Sequence, residues 1–157
     1  MRRHRRWMNS EAEGERAFIK GINFANSSQE GILFGQNELE NAIVENCTFD
    51  EMELEDYSFK NAVLKNSSFD NAILIGVDFS GADLENVDFS NTNLKYANLI
   101  GAKNLDTVNF KGALICRAQI SLNDITMAQL GQCPYNPELH KMIEAKHYLL
   151  YHRGAKH

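Results

Sequence analysis

A bulky apolar residue recurs at every fifth position through the middle of the sequence, and this spacing constrains the fold more than any other feature. Five residues advance about 140° around an α-helix, so the apolar residues would spread around its whole surface. On a straight strand an odd spacing places successive side chains on opposite faces. The conflict disappears if the chain bends once per repeat, so that each repeat is one short side of a coil. The central residues of these repeats, which form the predicted core, include Phe49, Leu54, Phe59, Leu64, Phe69, Leu74, Phe79, Leu84, Phe89 and Leu94.

Two other positions of each repeat support this bent path. The residue two before a centre is small or β-branched, as at Ala62, Val77 and Ala82, and is predicted to point into the same core. The residue two after a centre is predicted to lie at a corner, where Gly and Asn adopt a positive φ at little cost. The predicted corner residues are Asn41, Asn46, Asn61, Asn66, Asn71, Gly76, Gly81, Asn86, Asn91, Gly101 and Gly112.

The alternation of Phe and Leu centres predicts the number of sides of the coil. Residue type recurs every ten positions from Phe49 to Leu94. A four-sided coil of twenty residues therefore stacks Phe on Phe and Leu on Leu, whereas a three-sided coil of fifteen would stack Phe on Leu. Columns of like residues allow aromatic stacking and layers of uniform width, which favours four sides.

Segments such as Ala82–Asn86 (ADLEN) and Ala97–Gly101 (ANLIG) resemble the pentapeptide repeat, A(D/N)LXX. The resemblance covers roughly residues 20–131. It implies an all-β fold, a right-handed quadrilateral β-helix. We expect a basic tail and N-terminal cap over residues 1–20, the β-helix over 21–131, and a C-terminal α-helix and tail over 132–157.

The start of the repeat is irregular. Ser10 and the Glu three residues later resemble a capping box, so a short helix is predicted from about residue 11 to 19. The repeat begins at Ile22 and Phe24, but Gln29 stands at an expected centre, which predicts a bulge or a shift of register in the first coil. One extra residue between Leu99 and the next centre predicts a corner bulge.

The C-terminal segment reads as a helix. Asn136 followed by Pro137 is a favourable helix start, and apolar residues at helical spacing continue to about residue 152. This helix is expected to close the solenoid, and the family resemblance implies that it could also pair with its twin in a homodimer. Its residues His140, Glu144 and His147 share one face, but a solvated helix face is favoured over a metal site.

The sequence predicts no enzymatic chemistry and no cofactor. A rod with filled layers offers no concave site for catalysis, and the glycines lie one per corner instead of in a phosphate-binding loop. No apolar run reaches the roughly 18 residues of a membrane helix. Three cysteines without paired spacing favour a reducing compartment, with Cys47 as a small core residue. We expect a cytoplasmic protein, although secretion by a non-classical route stays open.

The outward positions hold the candidate binding residues. Residues 21–131 carry sixteen acids and six bases, and this net charge of −10 argues against binding to nucleic acid. Ile73 and Ile75 flank Leu74 and form, with Leu33 and Leu114 on the same column, a candidate apolar association surface. The acidic candidates are Glu45, Asp50, Asp70, Asp83, Glu85 and Asp88.

Two functions follow from this surface. The first is a rigid interaction or scaffold module that binds an unidentified protein partner or itself, the latter through the Ile73/Ile75 face or the C-terminal helix. The second comes from the resemblance to the branch of the family that binds DNA gyrase and other type II topoisomerases, in which an acidic rod imitates duplex DNA. Four lysines interrupt the acidic residues, namely Lys60, Lys65, Lys95 and Lys111. The interaction module is therefore the favoured reading.

Overall fold

The computed structural model describes residues 16–21 and 39–121, together with the single positions Lys141 and Ala145. Two short strands, β1 (Phe18–Lys20) and β2 (Ile43–Glu45), pair in parallel. A 3-10 helix spans Leu105–Thr107. From β2 onward the described chain follows a regular coil held together by isolated parallel bridges.

As far as Lys103 the bridges join residues that are twenty positions apart. Ile43 pairs with Val63, and Val63 pairs with Asp83, along one side of the coil. Backbone hydrogen bonds lie on either side of each bridge, for example from Val44 N to Val63 O at 2.7 Å and from Val63 N to Ala42 O at 2.9 Å. Equivalent bridges begin at Thr48, Glu53 and Ser58 on the other three sides. Each coil therefore has four sides of five residues, as the Phe and Leu alternation predicts.

The interior is filled by the repeat centres. All ten predicted core residues from Phe49 to Leu94 are 0% exposed. The rings of Phe49 and Phe69 stack at 4.7 Å, and those of Phe59 and Phe79 stack at 5.3 Å on the opposite side. The two columns meet edge to face across the core, with Phe59 and Phe69 at 5.6 Å and 86°. Cys47 is also buried, at a position two before a centre.

The corners adopt the left-handed backbone conformation. Every predicted corner residue has a positive φ, from 53° at Asn66 to 75° at Gly112. Corner amides also stack between coils, since Asn61 Nδ2 donates to Asn41 Oδ1 at 3.3 Å. Positive φ extends to corners where the sequence has neither Gly nor Asn, which are Glu51, Asp56, Tyr96 and Arg117.

Glu51→Asn is expected to raise the free energy of unfolding by about 0.5–1 kcal/mol. Glu51 is exposed and has a φ of 62°, and an L-residue other than Asn or Gly loses about 1–2 kcal/mol in this conformation. The reciprocal change Asn71→Glu, one coil further along the same corner, should lower stability by a similar amount. Urea unfolding of the two variants measures both effects, and equal midpoints would contradict the expectation.

The single inserted residue lies at a corner, as predicted. The coil spacing changes from twenty at the Asp83–Lys103 bridge to twenty-one at the Asp88–Asn109 bridge. Asn104 lies between them with a φ of 58° and precedes the 3-10 helix. Thr107 N donates to Asn104 O at 3.0 Å, which closes this tight turn. After the insertion the core continues with Leu105, Phe110 and Ile115, all of them buried.

The N-terminal predictions need a correction. Phe18 and Ile19 lie in β1, so the helix predicted over residues 11–19 is wrong at these two positions. Ile19 lies opposite Val44, twenty-five residues later, which is one whole repeat more than a regular coil. The pairing with β2 and the packing of Ile19 against the core outweigh the local helical signal. The parallel pairing of β1 with β2 also lies before Ile22, where the repeat was predicted to begin.

Several predictions fall on residues that the structure does not describe. They concern residues 11–15, Leu33, Gln29, the helix start at Asn136–Pro137 with its histidine-bearing face, and the homodimer through that helix. These predictions stay untested. In the described part of the chain, no helix is long and apolar enough to cross a membrane.

Candidate protein-interaction surface

The four sides of the coil expose four flat faces, and each is named here by one of its buried centres. On every face the residues just before and just after each centre point outward and are half-buried or exposed, with few exceptions. The Leu64 face has the centres Val44, Leu64 and Leu84. The Phe69 face has Phe49, Phe69, Phe89 and Phe110. The Leu74 face has Leu54, Leu74, Leu94 and Ile115, and the Phe79 face has Leu39, Phe59, Phe79 and Leu99.

The aspartates of the Phe69 face bind the coils to one another. Asp50 Oδ1 accepts hydrogen bonds from the Ser68 hydroxyl and from Asp70 N at 2.9 Å. Asp70 Oδ1 accepts in turn from Ser90 Oγ at 3.0 Å. Asp88 Oδ1 accepts from Asn109 Nδ2 at 2.9 Å. These three carboxylates were predicted to bind a partner, and the structure gives each of them a role inside the solenoid.

The acids of the Leu64 face surround a lysine. Lys65 Nζ lies 2.7 Å from Glu85 Oε2 and 3.4 Å from Asp83 Oδ2. The hydrogen bond to Glu85 and then the charge of Asp83 raise the pKa of Lys65 above its usual value. Asp83 also accepts a hydrogen bond from Asn104 Nδ2 at 2.7 Å. Along this face the charges therefore alternate as Glu45, Lys65 and Glu85, since Lys65 separates the two glutamates.

The Leu74 face changes character from coil to coil. Parallel bridges run from Glu53 to Ile73, from Ile73 to Asn93, and from Asn93 to Leu114. A second outward row, just after the centres, consists of Glu55, Ile75, Lys95 and Cys116. From coil to coil along the rod, the outward side chains of this face are acidic, then apolar, then amide and basic (Asn93 and Lys95), then apolar again.

The charged side chains of the Leu74 face are available to a partner. Glu53, Glu55 and Lys95 are exposed, and the described residues provide no ion pair to any of them. Ile73 and Ile75 between them are half-buried. This is the clearest difference from the Leu64 and Phe69 faces, where most of the acids are hydrogen-bonded within the chain.

The exposed apolar side chains near the Leu74 face differ from those that the sequence indicated. Leu114 is 39% exposed, but Asn93 separates it from Ile73, so the two side chains do not form a continuous patch. Tyr96, which is 52% exposed at the corner of the Leu74 face, was not predicted. The guanidinium of Arg117 lies 5.7 Å from the Tyr96 ring centroid, and its Nη1 donates to the Tyr96 hydroxyl at 3.1 Å. In the sequence, the signal that could have identified Tyr96 was a bulky aromatic residue at a corner position that usually holds Gly or Asn.

Charge is polarised along the rod. Residues 39–56 contain seven acids and no base, whereas residues 95–121 contain four bases and one acid. The acidic first coils are therefore followed by a basic end within the described β-helix. A uniformly acidic rod would lack this dipole.

The described faces are flat and lie over a filled interior. Their centres fill the core, and their outward side chains lie on flat surfaces. Among the residues that the structure describes, no group of three or more His, Cys, Asp and Glu side chains is placed to hold a metal ion.

Comparison with known proteins places this architecture in a family. A family model described as "Pentapeptide repeat region" matches residues 22–99. Among solved structures, the chain is similar to HetL from the cyanobacterium Nostoc sp. strain PCC 7120, a pentapeptide repeat protein involved in heterocyst differentiation regulation. The identity is 21%, the match covers 67% of this chain and 45% of HetL, and the TM-score is 0.26.

Two further solved structures also match the chain at low sequence identity and low TM-score. For QnrB1, a plasmid-mediated fluoroquinolone resistance protein, the identity is 11%, with 82% of this chain and 79% of that chain covered and a TM-score of 0.32. For a pentapeptide repeat protein from the Arabidopsis thaliana thylakoid lumen, the identity is 24%, with 58% and 77% covered and a TM-score of 0.22. No curated protein matches the sequence. The chain belongs to the pentapeptide repeat proteins, which form right-handed β-helices and are generally non-enzymatic structural modules.

Proposed function

We propose that this protein is a non-enzymatic, rigid β-helix that binds another protein through its Leu74 face. The observation that carries this proposal is the placement of exposed Glu53, Glu55 and Lys95 on either side of half-buried Ile73 and Ile75. Protein interfaces combine an apolar centre with a polar rim, and this face presents both on one flat surface.

The rigidity of the solenoid favours binding. Leu54, Leu74 and Leu94 are fully buried directly beneath the outward residues of this face. Backbone hydrogen bonds from Leu54 N to Ile73 O and from Leu74 N to Asn93 O, both at 2.9 Å, hold successive coils together. A surface that is ordered before binding loses less conformational entropy on association.

The DNA-mimic function has less support. The Leu64 and Phe69 faces share a corner and together carry all six acidic candidates. However, Lys65 neutralises part of the Leu64 face, and the carboxylates of the Phe69 face accept hydrogen bonds from neighbouring coils. Duplex DNA presents closely spaced charges without interruption, so these faces imitate it poorly. We therefore favour binding through the Leu74 face.

Affinity capture from the native host tests the proposal. Wild-type protein is compared with a double variant, Ile73→Lys with Ile75→Lys, and with a matched control, Ile43→Lys with Val63→Lys. The control places two lysines at half-buried outward positions of the Leu64 face. We expect the wild type and the control to retain the same partner, and the Ile73/Ile75 variant to lose at least about nine-tenths of it, since charges would enter an apolar contact. Equal capture by all three proteins would contradict the proposal.

A further inference from the structure

We propose that the Leu74 face binds the same face of a second copy of this chain, in an antiparallel arrangement with two-fold symmetry. This inference rests on the proposed function, because it names the partner of that surface. The symmetry axis passes near Ile73 and Ile75. Glu55 of each copy then faces Lys95 of the other copy.

The order of residues on the face is self-complementary. Glu53 and Glu55 lie one coil before the two isoleucines, and Asn93 and Lys95 lie one coil after them. Because successive coils are about 4.8 Å apart, the acidic coil position and the basic coil position are equally distant from the two isoleucines along the rod. A two-fold rotation about the line through the two isoleucines therefore exchanges the acidic and basic positions. An isologous contact requires this kind of match.

The antiparallel direction follows from the charges. In a parallel arrangement, with the two-fold axis along the rod, Glu55 would face Glu53 of the other copy, which is repulsive, and Lys95 would face Asn93 and gain no acidic partner. In the antiparallel arrangement each copy contributes one acid and one base, so that two equivalent ion pairs form. The isoleucines of the two copies meet between these pairs. The lengthwise dipole of the rod favours the same antiparallel direction.

The Leu64 and Phe69 faces lack this complementarity. On the Leu64 face the row after the centres reads Glu45, Lys65, Glu85, so a two-fold rotation about its middle would oppose like charges everywhere. The corresponding row of the Phe69 face contains Asp50 and Asp70, which already accept hydrogen bonds within the chain. Among the described faces, only the Leu74 face has apolar side chains in one coil, acidic side chains in the coil before it and a basic side chain in the coil after it.

The size of the face predicts a weak and reversible dimer. Four coils at about 4.8 Å spacing and five residues across give a contact on the order of 300 Å² per copy. Permanent interfaces bury about 800 Å² per partner or more. Association should therefore be visible only at high protein concentration, and it should weaken as salt screens the flanking ion pairs.

Sedimentation equilibrium of the purified full chain over a concentration series tests the inference. The wild type is expected to dimerise, and Ile73→Lys with Ile75→Lys is expected to stay monomeric. Lys95→Glu alone should raise the dissociation constant about tenfold, because one substitution alters two symmetry-related pairs. Lys60→Glu, the same charge change at an exposed position of the Phe79 face, should leave the constant unchanged.

A charge swap supplies the decisive control. Glu55→Lys combined with Lys95→Glu should restore dimerisation to within about twofold of the wild type, since each pair is re-formed with opposite polarity. A wild type that is monomeric throughout, a dimer that survives the Ile73/Ile75 change, or a swap without rescue would each overturn the inference. A monomeric wild type that still captures a different protein through the Leu74 face would leave the proposed function standing.

Discussion

Phe69→Ala is expected to lower the free energy of unfolding by about 3–5 kcal/mol, a large part of the stability of a small domain. The Phe69 ring is 0% exposed and belongs to both aromatic networks of the core. It stacks on Phe49 at 4.7 Å and lies 5.4 Å from Phe89 in its own column. It also meets Phe59 at 5.6 Å and Phe79 at 6.0 Å edge on. Removing it leaves a cavity that the closed coils cannot collapse to fill.

Two further variants distinguish the effect of a cavity on stability from the effect of removing apolar atoms. Phe69→Leu keeps most of the volume and should cost about 1–2 kcal/mol. Ile100→Ala, at an outward position that is 49% exposed, should change stability by less than about 1 kcal/mol. Urea unfolding monitored by circular dichroism provides the three values. If Phe69→Ala unfolded at the same urea concentration as Ile100→Ala, the core would not be packed as the structure shows.

The core and the corners could be predicted because the repeat places both in register. Once the centres are assigned, a residue such as Asn86 can lie only at a corner, and its φ of 55° agrees. The corners at Tyr96 and Arg117 follow from the same spacing, although neither residue favours a positive φ. Tyr96 N donates to Cys116 O at 3.2 Å in the next coil, and the ring contacts Arg117. Contacts between coils therefore override local preference there.

The register at β1 could not be derived from the repeat. A spacing of five is equally compatible with a step of twenty or of twenty-five residues between paired positions. The choice of Ile19 as the neighbour of Val44 depends on how the intervening segment is accommodated. Local sequence does not determine which of the two steps is used.

The repeat determines which candidate binding residues lie beside one another, but not whether their carboxylates face solvent or bind within the chain. The twenty-residue coil brings Asp50 beside Asp70 and Asp83 beside Lys103, as the sequence implies. Whether a carboxylate points to solvent or accepts a hydrogen bond from the next coil depends on its rotamer. Periodicity carries no information about rotamers. For this reason the Phe69 face looked like a binding surface in the sequence, while Glu55 and Lys95 on the Leu74 face were not selected.

Deleting Asn86 is expected to unfold the C-terminal coils, and deleting Asn104 is expected to be tolerated. Loss of a residue from the regular part of the repeat moves the centres between it and the insertion, Phe89, Leu94 and Leu99, by one position and turns them away from the core. Each misplaced centre loses about 2–5 kcal/mol. The sum is comparable to the total stability of a domain of this size.

Deletion of Asn104 has the opposite effect on the register. Removing it leaves Ala102-Lys103-Leu105-Asp106-Thr107 as a complete repeat and returns the later bridges to a spacing of twenty. The deletion removes the hydrogen bond from Asn104 Nδ2 to Asp83 and places Thr107 at a corner. Because a β-branched residue is unfavourable at positive φ, we expect a loss of about 1–2 kcal/mol.

Adding Thr107→Asn to the Asn104 deletion should recover about 1 kcal/mol, since Asn adopts the corner conformation more easily. Far-UV circular dichroism and urea unfolding compare the two deletions with this combined variant. A folded, cooperative Asn86 deletion would contradict a solenoid whose register is fixed by the repeat. An Asn104 deletion as damaging as the Asn86 deletion would mean that the inserted residue is required, and not merely accommodated, at its corner. The paired deletions thus test the same register that aligns Glu55, Ile75 and Lys95 on one face.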